Sequence, residues 1–284
     1  MIKPRVVDLS IIIISTNEGY FLKSCLQSIY DSKPNVSFET VVVNNCSDDN
    51  TVDILETDFP AVNVISNERK LGFSANNNQA IKRSGGRYIL ILNSDIVVLL
   101  GSLESMVGFM EEHPEAGIAG CKLLNPDYSL QYSCRKFSTL ATFFLRGLHF
   151  DTLFPNSTML RKYMMSDWDH NQVREVDWVM GSCMMVRRKA IEEVGMLDEN
   201  FILYFEDQDW CYRMWKHGWK VHYVPQAQMI HYYPRRSAKG IFNALTWIHI
   251  RSMFYFFKKH YLQFPLCADR EVGGFLAGEK EKSL

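Results

Sequence analysis

Apolar and polar positions follow two rhythms over the first hundred residues. Leu9 to Ile14 is a β-branched run that predicts a strand buried on both faces. From Tyr20 to Tyr30 the apolar residues Phe21, Leu22, Cys25, Leu26 and Ile29 fall at helical spacing. Glu39 to Val43 predicts the next strand, and Asp48, Asp49 and Asn50 offer N-cap oxygens for a helix through Thr57. Ala61 to Ile65 predicts a third strand. A helix over Phe73 to Arg83 stops at Gly85 and Gly86, and Tyr88 to Leu92 predicts a fourth strand. Strands alternating with helices pair in parallel in a Rossmann-like sheet, where ligands collect at the carboxyl ends of the strands.

The rest of the chain is less regular. It predicts a helix over Ser102 to Glu112, a short strand over Gly117 to Lys122 and another over Leu130 to Ser133. Phe137 to Val173 is aromatic, Met-rich and aperiodic, expected as an excursion or lid. Strands are expected over Val176 to Val179, Cys183 to Val186 and Lys220 to Val224, with helices over Arg188 to Val194 and Glu206 to His217. Ile241 to Phe257 is densely apolar, with Arg251 in its middle and Lys258, Lys259 and His260 at its end. Two readings of it stay open: a helix packed on the domain or on a second copy in a homodimer, or an interfacial helix on an anionic membrane. The tail from Ala268 to Leu284 is expected to be mobile. One domain over 1–240 is therefore expected, with a nucleotide half (about 1–100) and an acceptor half (about 101–240), followed by a C-terminal helix and tail over 241–284.

Composition narrows the classes. With 47% hydrophobic and 22% charged residues the chain reads as globular rather than disordered. A formal net charge of -1 gives no basic field for nucleic acid, so any anionic ligand must be met by local groups. The seven cysteines include no CxxC pair, which argues against a zinc site or disulfide framework and for a reducing compartment. The first apolar run is too short for a secretory signal, and no apolar stretch of about 18 residues exists to span a membrane. A cytoplasmic location is expected.

Each of the four predicted strands ends in small polar residues: Ser15-Thr16-Asn17-Glu18, then Asn44-Asn45-Cys46-Ser47-Asp48, then Asn67 with Gly72 and Asn76 to Asn78, then Asn93-Ser94-Asp95. One such string is ordinary turn chemistry, but four on one sheet edge suit the edge of a base and the hydroxyls of a ribose. Neither GxGxxG nor GxxxxGK[ST] is present, so no glycine cradle is available for a diphosphate. A divalent cation can take that part, held by a carboxylate such as Asp95 together with substrate phosphates. His231 reads equally as an imidazole ligand or as a buried structural histidine. In Tyr204-Phe205-Glu206-Asp207-Gln208-Asp209-Trp210 three acids open a helix, where its dipole favours them. The flanking aromatics also suggest a partly desolvated site able to raise a carboxylate towards general-base range. Adjacent helical residues point about 100° apart, so one of Glu206 and Asp207 should face the cleft.

In order and spacing, IIISTNE, VVVNNCSDDNT, NERKLGFSANNNQAI, ILNSDI, DWVMGSCMMVRR, LDENFILYFEDQDWCYR and IHYYPRRS resemble the family 2 glycosyltransferases, in particular their rhamnosyltransferase-like branch, from about Ser10 to Tyr261. The resemblance implies the α/β GT-A fold, with a mostly parallel central sheet flanked by helices and a C-terminal helical appendage. It implies an inverting, metal-dependent transferase of surface polysaccharide synthesis. The donor would be a dTDP- or UDP-linked sugar such as dTDP-rhamnose, and the acceptor a glycan or a lipid-linked hydroxyl. Carried over by position, Thr16, Asn17, Glu18, Asn45, Asp48, Asn67, Gly72, Asn76, Asn93 and Ser94 would meet the nucleotide, and Trp178 and Gly181 would border sugar and acceptor. Asp95 and His231 would hold Mg2+ or Mn2+. Asp207 would be the base, with Glu206 in a supporting or acceptor-binding role. Asn93 stands where the family's metal motif begins with an aspartate, and Pro234, Arg235 and Arg236 replace a usual glycine-containing turn. Those arginines read equally as a diphosphate clamp or as a solvated turn. A non-catalytic nucleotide-sugar-binding protein and a sugar-phosphate nucleotidylyltransferase are the competing readings; the latter needs a Gly- and Arg-rich loop where STNE stands.

Overall fold

The computed structural model describes residues 7–139, 141–142, 157–232 and 244–261. Strands β1 (Leu9–Ser15), β2 (Phe38–Asn44), β3 (Asn63–Ser66) and β4 (Tyr88–Asn93) alternate with helices α1 (Gly19–Asp31), α2 (Thr51–Asp58) and α3 (Phe73–Arg83). Then come β5 (Ile96–Val98), α4 (Ser102–Glu112), β6 (Ala116–Leu124), β7 (Leu130–Gln131), β8 (Cys134–Arg135) and α5 (Thr158–Met164). The remaining elements are β9 (Arg174–Glu175), β10 (Trp178–Val179), β11 (Cys183–Arg187), α6 (Arg188–Val194), α7 (Glu206–Lys216), β12 (Lys220–His231) and α8 (Ala244–His260).

One twisted sheet organises the chain in the order β3-β2-β1-β4-β11-β6-β12-β5, with helices on both faces. Residues alternate between the faces at the strand period of two. Ile11 and Ile13 join the core under α1, α2 and α4, while Ile12, Val41 and Val43 join the core under α3, α6 and α7. Each such isoleucine, fully buried, stabilises the fold by about 1.5–3 kcal/mol.

The expectation of a mostly parallel sheet holds for one half and needs correction in the other. β3, β2, β1 and β4 are parallel, as their helical crossovers require. β11 then runs antiparallel to both β4 and β6, and β5 antiparallel to β12, while β6 and β12 are parallel. No two neighbours in this half are joined by a single helical crossover, so nothing imposes one direction. β12 is also longer than its sequence pattern suggests, because a bulge between Val224 and Gln228 interrupts the alternation and the strand then resumes. His231 is therefore the last residue of a strand and not a residue beyond it.

A third cluster forms where α8 lies on the loop before α7: Met253, Phe256 and Phe257 pack on Phe201 and Phe205. At its end Asp209, fully buried, meets Arg213 (2.8 Å), Lys259 (2.8 Å) and His260 (2.7 Å), and Lys259 also meets Asp198 at 2.7 Å. Burial alone would raise Asp209, but His260, Arg213 and Lys259 hold it below its ordinary value. Most of the expected excursion, the arginine pair after Pro234, the start of the C-terminal run and the tail lie outside the described residues.

Candidate active site

Strand register brings the four polar strings to one edge. Ser15 pairs with Asn44, Asn44 with Ser66, and Ile14 with Asn93. Beyond these ends the side chains form a mutual amide network. Asn45 donates to Thr16 Oγ1 (3.2 Å) and to the Leu71 carbonyl (3.2 Å), and its Oδ1 accepts from the Leu71 N–H (2.8 Å) and from Asn67 (3.2 Å). Asn67 also donates to Asn76 Oδ1 at 2.6 Å, and Asn76 donates to the carbonyls of Leu71 and Gly72. Asn45 and Asn76 are thus buried braces of the 67–72 loop. Asn17, at φ 55°, accepts from the Asp48 N–H, and both residues are exposed on this edge. Ser94 donates to Glu18, tying the first string to the fourth.

Asp95 follows β4 at the same edge. Its Oδ1 is buried and lies 3.3 Å from His231 Nε2. Gln131 fixes the imidazole: its amide N–H donates to Asn125 Oδ1 (2.9 Å), which leaves Oε1 to accept from His231 Nδ1–H at 2.6 Å. With Nδ1 turned to Gln131, His231 Nε2 and Asp95 Oδ1 are the neighbouring atoms that could hold one cation. Neighbouring ligands of an octahedral cation with ligands at ~2.1 Å stand ~3.0 Å apart, so the pair fits a divalent ion. Among the described residues no group of three or more His, Cys, Asp or Glu side chains is placed to hold a metal, and the remaining ligands would come from substrate and water. A small cleft of about 80 Å³ opens beside Asp95, walled by Tyr20, Phe21 and Tyr232.

The second pair of acids arrives on α7. Tyr204 and Phe205 both take left-handed backbone (φ 68° and 69°), which costs about 1–2 kcal/mol each for residues with a Cβ. The turn aims the first residue of α7 inward. Glu206 is buried, and its Oε2 has no hydrogen-bond partner among the described residues. Burial, with the charges of Asp207 and Asp209, raises its pKa well above the carboxylate range. Asp207 is partly exposed and accepts from the N–H groups of Gly181 (3.0 Å) and Gln208 (2.8 Å). Burial raises its pKa as well, opposed by those two N–H groups and by Arg135. The donors on Asp207 make Glu206 the member that keeps its proton.

Gly181 links the two acidic sites. Asn93 N–H donates to the Ser182 carbonyl at 2.9 Å, so Asp207, bonded to Gly181, sits next to the end of β4. Trp178 is buried, donates to the Lys136 carbonyl (2.8 Å) and carries the Arg135 guanidinium 5.4 Å over its ring. Gly72 touches the other side of the α7 approach, where Phe73 N–H donates to the Ile202 carbonyl at 2.9 Å. Just beyond, buried Asn78 bonds both the carbonyl (2.9 Å) and the N–H (3.2 Å) of Leu197, and Glu199 at 2.9 Å. Sequence reasoning missed Gln131, Arg135 and Asn78 as a clasp; Asp49, expected among the N-cap oxygens of α2, accepts from Thr51 N–H there and also from Gly19 N–H at the start of α1.

The description Glycosyl transferase family 2 matches residues 10–195. The chain is 25% identical over 233 residues, 78% of its length and 75% of the other's, to the N-acetylglucosaminyl-diphospho-decaprenol L-rhamnosyltransferase of Mycobacterium tuberculosis. It is 30% identical to rhamnosyltransferase WbbL of Escherichia coli K12 over 194 residues, 64% of this chain and 69% of that one. Among solved structures, GalNAc-T7 with UDP, GalNAc and Mn2+ superposes with a TM-score of 0.65 at 16% identity over 90% of this chain. This chain spans about half of that protein (48%), and the likeness is one of fold.

Proposed function

The chain belongs to Glycosyl transferase family 2, and from that premise we propose that it moves a sugar from a dTDP- or UDP-linked donor, dTDP-rhamnose first among them, to a hydroxyl of a glycan or lipid-linked acceptor. The transfer inverts the anomeric centre and serves surface polysaccharide synthesis in the cytoplasm or at the inner face of the cell membrane. The observation that carries this reading is the partly exposed Asp207, held by two backbone N–H groups beside the strand end that presents Asn93 to Asp95.

Asp207 takes the proton of the acceptor hydroxyl as that oxygen attacks C1 from the face opposite the diphosphate. Gly181 and Gln208 keep the carboxylate aimed, and buried Glu206, protonated, offers a hydrogen bond without a competing charge. The braced 67–72 loop, with Thr16, Asn17, Glu18 and Asp48 at the same edge, receives base and ribose. Trp178 and Gly181 border the sugar and acceptor. Asp95 and His231 would hold Mg2+ or Mn2+, which would supply stabilisation of the charge developing on the leaving nucleoside diphosphate.

The test is release of nucleoside diphosphate from a panel of dTDP- and UDP-sugars with Mn2+, with membrane extract as acceptor source. Asp207→Asn should lower turnover by about 10²–10⁴ while the donor still raises the melting temperature. Turnover within threefold of the parent would remove Asp207 as base, by the same ~10²-fold expectation. If no nucleoside diphosphate shifted the melting temperature, the donor assignment would fall with it.

A further inference from the structure

Positive charge is concentrated in one part of this chain. Between His231 and Asp269 the sequence has no Asp or Glu, yet it carries Arg235, Arg236, Lys239, Arg251, Lys258 and Lys259, in a protein of formal net charge -1. Lys259 is committed inward to Asp198 and Asp209. Arg251 and Lys258 are not: both are exposed on α8 and are paired with no carboxylate among the described residues.

They share a face with large aromatics. Trp247 (65% exposed), Arg251, Phe254 (63% exposed), Lys258 and Tyr261 (46% exposed) follow at steps of four, three, four and three, which lays them along one side of the helix. The opposite side is spoken for. Met253, Phe256 and Phe257 pack on Phe201 and Phe205, and Ser252 Oγ donates to the Leu203 carbonyl at 2.8 Å. Aromatic and cationic side chains alternating on an acid-free face match the interface of an anionic bilayer. Rings of this kind sit at headgroup level there, and Lys and Arg reach the phosphates. Spanning is not an option, since no helix of the described residues is long and apolar enough to cross a membrane. Lying flat, the 17 residues cover ~25 Å of surface.

We propose that the outer face of α8 docks this protein on an anionic lipid surface through Trp247, Arg251, Phe254 and Lys258. The inner face of the same helix rests on the loop that leads into Glu206 and Asp207, so the docked helix is separated from the acid pair by that loop. A lipid-linked acceptor then meets Asp207 without leaving the bilayer. That last step rests on the transferase reading; the docking does not.

The experiment is flotation of the full chain with vesicles of phosphatidylcholine, alone or with about 30% phosphatidylglycerol. The protein should float with the anionic vesicles and not with the neutral ones, and raised salt should release it. R251Q/K258Q should weaken binding by roughly thirtyfold, and W247S/F254S should abolish it, with melting temperatures unchanged because all four side chains are exposed. Equal binding to both vesicle types, or none to either, overturns the proposal. So does a dimer in sedimentation that W247S/F254S dissolves without any vesicle binding, since a second copy would then own the face. Flotation without transfer from any donor would leave the docking standing and overturn the enzymatic reading; transfer without flotation would do the reverse.

Discussion

Gly72→Ala tests how the 67–72 loop and the acid pair are joined. Gly72 has φ -72° and ψ 166°, a conformation open to any residue, so its glycine is required by space alone. A Cβ there would stand 2.8 Å from the Ile202 carbonyl oxygen and 3.0 Å from Ile202 Cα, both backbone atoms. Ordinary contact needs about 3.5 Å, so the chains must part by roughly half an ångström or more. They are also tied there, since Phe73 N–H donates to that same oxygen. Overpacking of this kind costs about 1–3 kcal/mol, or about 2–5 °C in melting temperature for a chain of this size. Ile202 lies three residues before the strained Tyr204–Phe205 turn ends, and the displacement passes to Asp207. A shift of ~1 Å at a reacting group can cost about 10²-fold, so a loss of tenfold to a hundredfold in kcat at saturating donor is expected from nucleoside diphosphate release. Gly108→Ala is the control. It has no atom within 4 Å of its would-be Cβ, lies inside α4, and should stabilise by up to about 1 kcal/mol with turnover unchanged. Parental kcat and melting temperature in Gly72→Ala would refute the coupling.

Two further outcomes concern the buried acids. Asp209→Ala leaves Arg213 and His260 without their carboxylate and should destabilise by about 3–5 kcal/mol in urea denaturation followed by tryptophan fluorescence. Asp209 is held below its ordinary value, so its contribution is present above the unfolded carboxylate range (~3.9) and lost as pH falls through the folded value. The gap between parent and variant should therefore close in acid; a constant gap would mean the loss is packing alone. Glu206 is raised, so the sign reverses: its stabilisation is present below ~4.3 and is lost as pH rises towards the folded value. Glu206→Gln should then melt above the parent at alkaline pH and level with it near pH ~4. A difference that does not vary with pH would show that Glu206 does not titrate in the fold.

Long, strongly periodic segments were legible from sequence. The helices over Phe73–Arg83, Ser102–Glu112 and Arg188–Val194 fall where their spacing and stops place them. The strand-end strings could be aligned because parallel pairing brings Ser15, Asn44 and Ser66 into register. Ile96–Val98 was missed because three residues carry no period, and the end of β12 because Pro225, Gln226 and Gln228 break its alternation at the bulge. Side-chain partners were the least legible. Asn45, Asn67 and Asn76 announce polar chemistry, yet nothing local says that they bond one another. Asp209 looks like one more acid at a helix start until Lys259 and His260 arrive from about fifty residues away.

The Asn78 clasp bears on how such chains can be recombined. Its amide satisfies the N–H and C=O of Leu197 together, and Gly72 leans on Ile202 a few residues further along. A chimera cut near residue 100, after the run of parallel strands, would separate each of these from its partner. The unit that can be transplanted is discontinuous: 67–78 travels with 197–202, and a hybrid that keeps the two together inherits a formed cleft rather than two halves that must find a new fit.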